Sequence, residues 1–210
     1  IITAVAALEE KVIDTNTTFY CPGYYYFGGR IYRDWKKEGH GMVSLHRGLV
    51  ESSDVYFYQV GLRVGVDNIY KYARGFGLGK PIGTVLGNDK SGLIPSTSWK
   101  RAALNEPWYQ GETLSVAIGQ GFVLVTPMQL AVMISAVANG GTLYLPQFVK
   151  QIEDLEGRTI KSFRPQVMGS VPASPDTLDV IKKALWGVVN EPTGTGYRAS
   201  IPWTDVAGKT

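Results

Sequence analysis

Apolar positions in this chain recur mainly at helical spacing. Ile1, Val5, Leu8 and Val12 share one face and predict an opening helix over 1–13, ending before the polar run Asp14-Thr15-Asn16-Thr17-Thr18. Ser44 is placed to cap a second helix through Val50. Ser52-Ser53-Asp54 interrupts it, and Val55-Tyr56-Phe57-Tyr58-Gln59-Val60 continues as a buried helix. Asp67 stands as an N-cap for a helix over 68–75, with Ile69, Tyr72, Ala73 and Phe76 inward. Thr126-Pro127 puts a capping hydroxyl and a first-turn proline at the head of a helix that runs to Asn139-Gly140-Gly141. Ser174-Pro175 opens the last, with Leu178, Ile181, Ala184, Leu185 and Val188 on its inner face. Strands are predicted over 144–153 and 158–163, joined through Asp154-Leu155-Glu156-Gly157, and a final strand after Thr193-Gly194-Thr195-Gly196. Two stretches carry neither period. Residues 19–43, rich in Gly and Tyr, and 78–111, punctuated by Pro and Gly, predict loops. Helices in the middle and strands late give an α+β domain rather than a regular alternation.

Composition narrows the partners. The 210 residues suffice for one sizeable domain or two small ones, with 44% hydrophobic and 19% charged residues. A net charge of +3 and the lack of a long basic run argue against a nucleic-acid partner. The single cysteine excludes an internal disulfide. No apolar run reaches membrane-spanning length. The opening segment has no basic leader and reads as a helix entered partway, so both ends are expected to be cuts in a longer protein.

Three groups of residues carry candidate chemistry. Ser52-x-Asp54 lies at a break between helices, where it is either a plain N-cap or a hydroxyl that relays a proton with Asp54 bracing it. Lys209-Thr210 is either a solvent-facing strand edge or an ammonium set beside the Ser52 hydroxyl, with the Thr210 hydroxyl facing a substrate carboxylate. Cys21, Asp34 and His40 fall in one long loop. They are either a buried thiol, a surface acid and a capping imidazole, or a structural zinc site, since these donor types suit that metal.

Ser-x-Asp and a terminal Lys-Thr, in that order, are partial matches to two of the three signatures of penicillin-recognising serine enzymes; a Ser-x-x-Lys is missing. The nearest candidate, Ser96-Thr97-Ser98-Trp99-Lys100-Arg101, fails on register. Four further blocks make the resemblance specific: Glu51 to Gln59, Pro107 to Thr113, Ala117-Ile118-Gly119-Gln120-Gly121 with Thr126-Pro127-Met128-Gln129-Leu130, and Ala138-Asn139-Gly140-Gly141. Together they resemble class B penicillin-binding proteins, and Arg33-Asp34-Trp35-Lys36-Lys37 with Gly39-His40-Gly41 resembles the elongation-type branch.

The resemblance spans essentially the whole chain. It implies a penicillin-binding transpeptidase / serine β-lactamase-like fold, with an antiparallel sheet and a helical subdomain. Residues 1–210 would be most of one transpeptidase domain, lacking a nucleophile segment before Ile1 and a Gly after Thr210. The implied reaction is D,D-transpeptidation of peptidoglycan stem peptides through a serine acyl-enzyme, which β-lactams trap. Ser52, Asp54 and Lys209 would be catalytic and Thr210 substrate-binding. No cofactor is required for chemistry, and Cys21, Asp34 and His40 would be ligands of a structural zinc. Implied partners are a membrane-bound glycan polymerase and elongation-complex proteins, at the periplasmic face of the inner membrane, where an N-terminal helix would anchor the protein. The second signature usually ends in Asn, and Asp54 departs from it. The alternative is an inactive cell-wall scaffold or a penicillin-sensing domain of the same fold.

Overall fold

The first helix, α1 (Ile2–Glu9), is sheathed by other elements: Ala4, Val5, Ala6 and Ala7 are wholly buried. Small side chains let its neighbours come close, and α3 (Asp54–Val64), α4 (Val66–Gly75) and α8 (Pro175–Asn190) pack around it. The computed structural model describes all residues, Ile1–Thr210. The remaining helices are α2 (Leu45–Val50), α5 (Thr97–Leu104), α6 (Gln110–Ala117) and α7 (Pro127–Ala138). α3 lies against α6 where Gly61 faces Ala117; a Cβ at Gly61 would collide with the Ala117 methyl, so the glycine sets the approach of these two helices. One core of 36 buried residues joins α1, α3, α4, α6, α7 and α8.

Strands form four two-stranded antiparallel units in place of one continuous sheet. β1 (Thr18–Cys21) pairs with β4 (Gly41–Ser44), and β2 (Tyr24–Phe27) with β3 (Arg30–Arg33). The stretch 19–43 is therefore two nested hairpins, not a loop. β5 (Thr142–Tyr144) pairs with β8 (Val167–Ser170), and β6 (Gln151–Glu153) with β7 (Thr159–Ser162) across the predicted Asp154–Gly157 turn. The strand expected over 144–153 is split, and residues 206–210 belong to no strand. No helix is long and apolar enough to cross a membrane.

Caps locate most helix starts. Ser44 accepts from Arg47 N, Ser174 from Thr177 N, and Thr126 and Gln129 form a reciprocal capping box. Asp67 behaves differently from its predicted role. α4 starts at Val66, and Asp67 instead accepts from the backbone N (2.9 Å) and hydroxyl (2.7 Å) of Thr97, at the head of α5. Gln129, wholly buried, also donates to Lys80 O (2.8 Å) and Ser91 O (2.9 Å), pinning the loop 78–96.

Candidate active site

Ser52 is the pivot between α2 and α3. It sits at φ 55°, the left-handed region, which costs a non-glycine residue about 1–2 kcal/mol. The turn is clamped from outside. The Trp35 indole N–H lies 3.0 Å from the carbonyl oxygens of both Glu51 and Ser52, and Ser53 N donates to Gly48 O (3.0 Å). The two adjacent serines then diverge. Ser53 is wholly buried: its hydroxyl oxygen caps α3 by accepting from Tyr56 N (3.3 Å) and its proton goes to Asp34 Oδ2 (3.0 Å). Asp34 Oδ2 also accepts from Val55 N (3.0 Å). The N-cap reading of Ser52-Ser53-Asp54 thus belongs to Ser53, and Ser52 is left to face the cleft.

Across the cleft stands Lys209. Its Nζ donates to Ser52 Oγ at 2.6 Å and to Thr210 O at 2.9 Å. The segment that carries it docks on α8: Gly208 N donates to Leu185 O (3.0 Å), and the Asn190 side chain donates to Val206 O (2.9 Å). These bonds replace the expected strand ladder. Thr195, which sequence reasoning left without a role, ties both walls together. Its backbone N reaches Val50 O (3.3 Å) and its hydroxyl lies 2.8 Å from that of Thr210.

Asp54 opens α3 beside this pair. Burial, and next the neighbouring Asp34 carboxylate, push its pKa up from 3.8 to about 6, against opposing pulls from the Trp35 backbone N–H, Lys209 and His40. Burial also lowers the Lys209 pKa, with Asp54 partly offsetting it. An ammonium less firmly protonated than a surface lysine, 2.6 Å from a hydroxyl, is suited to exchanging a proton through that hydroxyl. The cavity in front measures about 500 Å³. Ile1, Ile2, Ala117, Ile118 and Gly119 are among the residues that wall it, so the first three residues of the Ala117–Gly121 block contribute to its largely apolar lining.

Cys21, Asp34 and His40 are brought close together without the arrangement of a metal site. All three are buried near the Ser52 turn, yet no three His, Cys, Asp or Glu side chains are arranged to hold a metal ion. Both edges of the His40 ring are taken, Nε2 by Asp34 Oδ1 (3.1 Å) and Nδ1 by Glu51 Oε2 (2.9 Å). The Cys21 thiol points to Phe19 O (3.6 Å), and burial raises its pKa. As placed, these donors do not fit zinc. Glu51 and Arg47 complete the cluster, and a charged residue at a helix end gave no sign of its burial.

Several other polar and aromatic side chains lie outside the cleft. His46 bonds Glu191 at 2.7 Å. Lys100 is buried against Glu112 and Glu106, with its ammonium over the Tyr109 ring, so Ser96–Arg101 is helix scaffolding. Trp108 donates to Thr113 Oγ1 (2.9 Å) and neither it nor Tyr109 lines the cavity. In β2, Tyr25 and Phe27 pack toward the core and Tyr24 and Tyr26 face out.

An α+β domain with a Ser-x-Asp turn facing a lysine defines a class, and comparison with known proteins agrees. The penicillin binding protein transpeptidase domain family matches the chain over residues 1–210, and the chain belongs to that family. It is 38% identical over 200 residues to the peptidoglycan D,D-transpeptidase MrdA of Salmonella typhimurium, covering 93% of this chain and 32% of that protein. Among solved structures, penicillin-binding protein PBP2 of Helicobacter pylori in complex with MreC superposes with a TM-score of 0.85 at 30% identity, over 100% of this chain and 38% of that one. PBP2 of Pseudomonas aeruginosa in complex with WCK 5153 gives 0.82 at 32%, over 94% and 44%. The fold is that of the penicillin-binding transpeptidases. The chain spans about a third of the length of the curated relatives it matches.

Proposed function

We propose that this chain forms the larger part of the catalytic domain of a peptidoglycan D,D-transpeptidase of the cell-elongation type. The observation that carries the reading is the 2.6 Å contact between Lys209 Nζ and Ser52 Oγ, groups 157 positions apart. A side-chain pair of that kind, facing a largely apolar cavity, suits proton transfer on a peptide substrate.

In the intact protein the nucleophilic serine of a Ser-x-x-Lys would stand at the Ile1 edge of the cleft, which borders the same cavity. Its hydroxyl oxygen attacks the carbonyl of the penultimate D-Ala, and its proton passes to a neighbouring base. The terminal D-Ala leaves as an amine, taking a proton delivered through Ser52, which Lys209 replenishes. An acyl-enzyme remains, and an amine of a second stem peptide then accepts the acyl group and restores the serine. Thr210 would meet the substrate's terminal carboxylate, and Asp54 would hold the Ser52 turn and orient substrate. None of these steps uses a metal. The resemblance to PBP2, and the MreC complex of the H. pylori relative, support a place in an elongation complex on the periplasmic side of the inner membrane, with a glycan polymerase and β-lactams as further partners.

Labelling the intact protein with a fluorescent penicillin tests this. A covalent adduct on a serine is expected. A folded, intact protein that never forms one would leave a scaffold or sensor as the better description.

A further inference from the structure

Behind Ser52, on the side away from the cleft, lies a buried polar chain that the proposed chemistry does not consume. His40 is wedged between Asp34 and Glu51, at 3.1 and 2.9 Å, with both ring edges occupied. Glu51 in turn receives Arg47 Nε on Oε1 (2.7 Å) and Arg47 Nη2 on Oε2 (3.1 Å), a two-point clasp. Arg47 then donates to the carbonyl oxygens of Met42 (2.6 Å) and His40 (3.2 Å), closing the ring on β4 and the loop before it. At the other end Asp34 holds Ser53 and Val55, the two residues that flank Asp54. No buried side-chain nitrogen or oxygen lacks a partner, so no orphaned polar atom is waiting for an ion.

Metal-bound histidine offers one ring nitrogen to the ion and the other to a carboxylate or carbonyl. Here carboxylates claim both. We propose that Glu51, backed by Arg47, takes the place of a metal ion as the anchor of His40, so that the wall behind Ser52 is held by hydrogen bonds and ion pairs alone. Cys21 is then a packed core thiol, and its wholly buried position serves the β1–β4 hairpin and α3. The inference concerns the brace and stands whether or not Ser52 relays a proton.

The test uses the intact protein produced in zinc-supplemented medium. Elemental analysis is expected to find zinc far below one atom per chain, equally in the parent and in Cys21→Ser. Cobalt(II) added to the protein is expected to give no thiolate charge-transfer absorption, and a chelator is expected to leave the melting temperature unchanged. Glu51→Gln, which keeps the shape but weakens both clasps, is expected to melt several degrees lower. Should it fail to accumulate, Arg47→Gln, at a half-exposed position, makes the same comparison. Stoichiometric zinc lost on Cys21→Ser, a thiolate–cobalt band, a chelator-induced drop in melting temperature, or brace variants that melt with the parent would each overturn the proposal. None of these readouts depends on penicillin labelling, so a failed transpeptidase reading would leave their outcome intact.

Discussion

Ser52 and Lys209 meet at 2.6 Å, yet the chain holds them in opposite ways. Ser52 sits in a turn enclosed by core: Ser53 and Val55 are wholly buried on one side, Leu49 and Val50 on the other, and Trp35, Asp34 and His40 close it from outside. Lys209 rides on a segment whose residues from 198 to 205 are all exposed, attached to α8 by a few bonds from Leu185 and Asn190. One partner is fixed by folding itself, and the other is docked onto a finished surface. Burial on the Ser52 side couples its geometry to global stability. The Lys209 side is drawn from the part of the molecule that can open locally at low cost. Substitutions on the two walls should therefore fail differently.

The largest effect is expected at Lys209. Lys209→Ala in the intact protein removes the group paired with Ser52 and should slow penicillin acylation on the order of 10²–10⁴-fold. Stability should change by no more than about 0.5 kcal/mol, because the lost ammonium was desolvated, not anchoring the core. Acylation kinetics and thermal melting on the same sample measure both. Parental acylation, or a protein that unfolds, would break the contrast between the walls.

Ser53→Ala probes the other wall and should reverse the pattern. It deletes the cap of α3 and leaves Asp34 Oδ2 with Val55 N as its remaining donor. A lost serine cap costs about 1 kcal/mol, and a buried carboxylate short of a partner adds to it, for a total of about 1–2 kcal/mol in urea unfolding. A variant as stable as the parent would mean that this wall is no more part of the core than the Lys209 segment.

The same contrast explains what the sequence disclosed. Helix starts at Ser44, Thr126 and Ser174 were legible because a cap is a local device, complete within three residues. The pairing of Ser52 with Lys209 was legible through resemblance to a family whose signatures mark both. The hairpins within 19–43 were not, because strands of four residues give only two inward positions each, too few for an alternation to stand out from a Gly- and Tyr-rich background. Asp67 was misassigned because its partner, Thr97, lies 30 positions away and local rules see only the next turn. The burial of Glu51 is hidden from the sequence for a related reason. A glutamate four residues after an arginine on a helix reads as a solvated pair, and only the loop 34–40 folding over it makes it a buried anchor.

The smallest effect, and the one that joins the two walls, is expected at Asp54, which belongs to the Ser52 turn but feels the Lys209 charge. Its carboxyl titrates at about 6 in the fold against 3.8 when unperturbed, burial and Asp34 outweighing Lys209 and His40. Between those values the folded state binds more protons than the unfolded one, so this group makes stability fall as pH rises. The cost is absent below the unperturbed value and fully present above the folded one. Asp54→Asn removes it. The variant should gain stability over the parent at pH 8 and gain nothing at pH 4, by less than ~1 kcal/mol because solvent screens a half-buried site. Penicillin acylation by the parent should carry an inflection near pH 6, which the variant lacks. If the stability difference instead grows toward acid, then Lys209 dominates the carboxyl and the docked wall, loosely held as it is, sets the charge state of the fixed one.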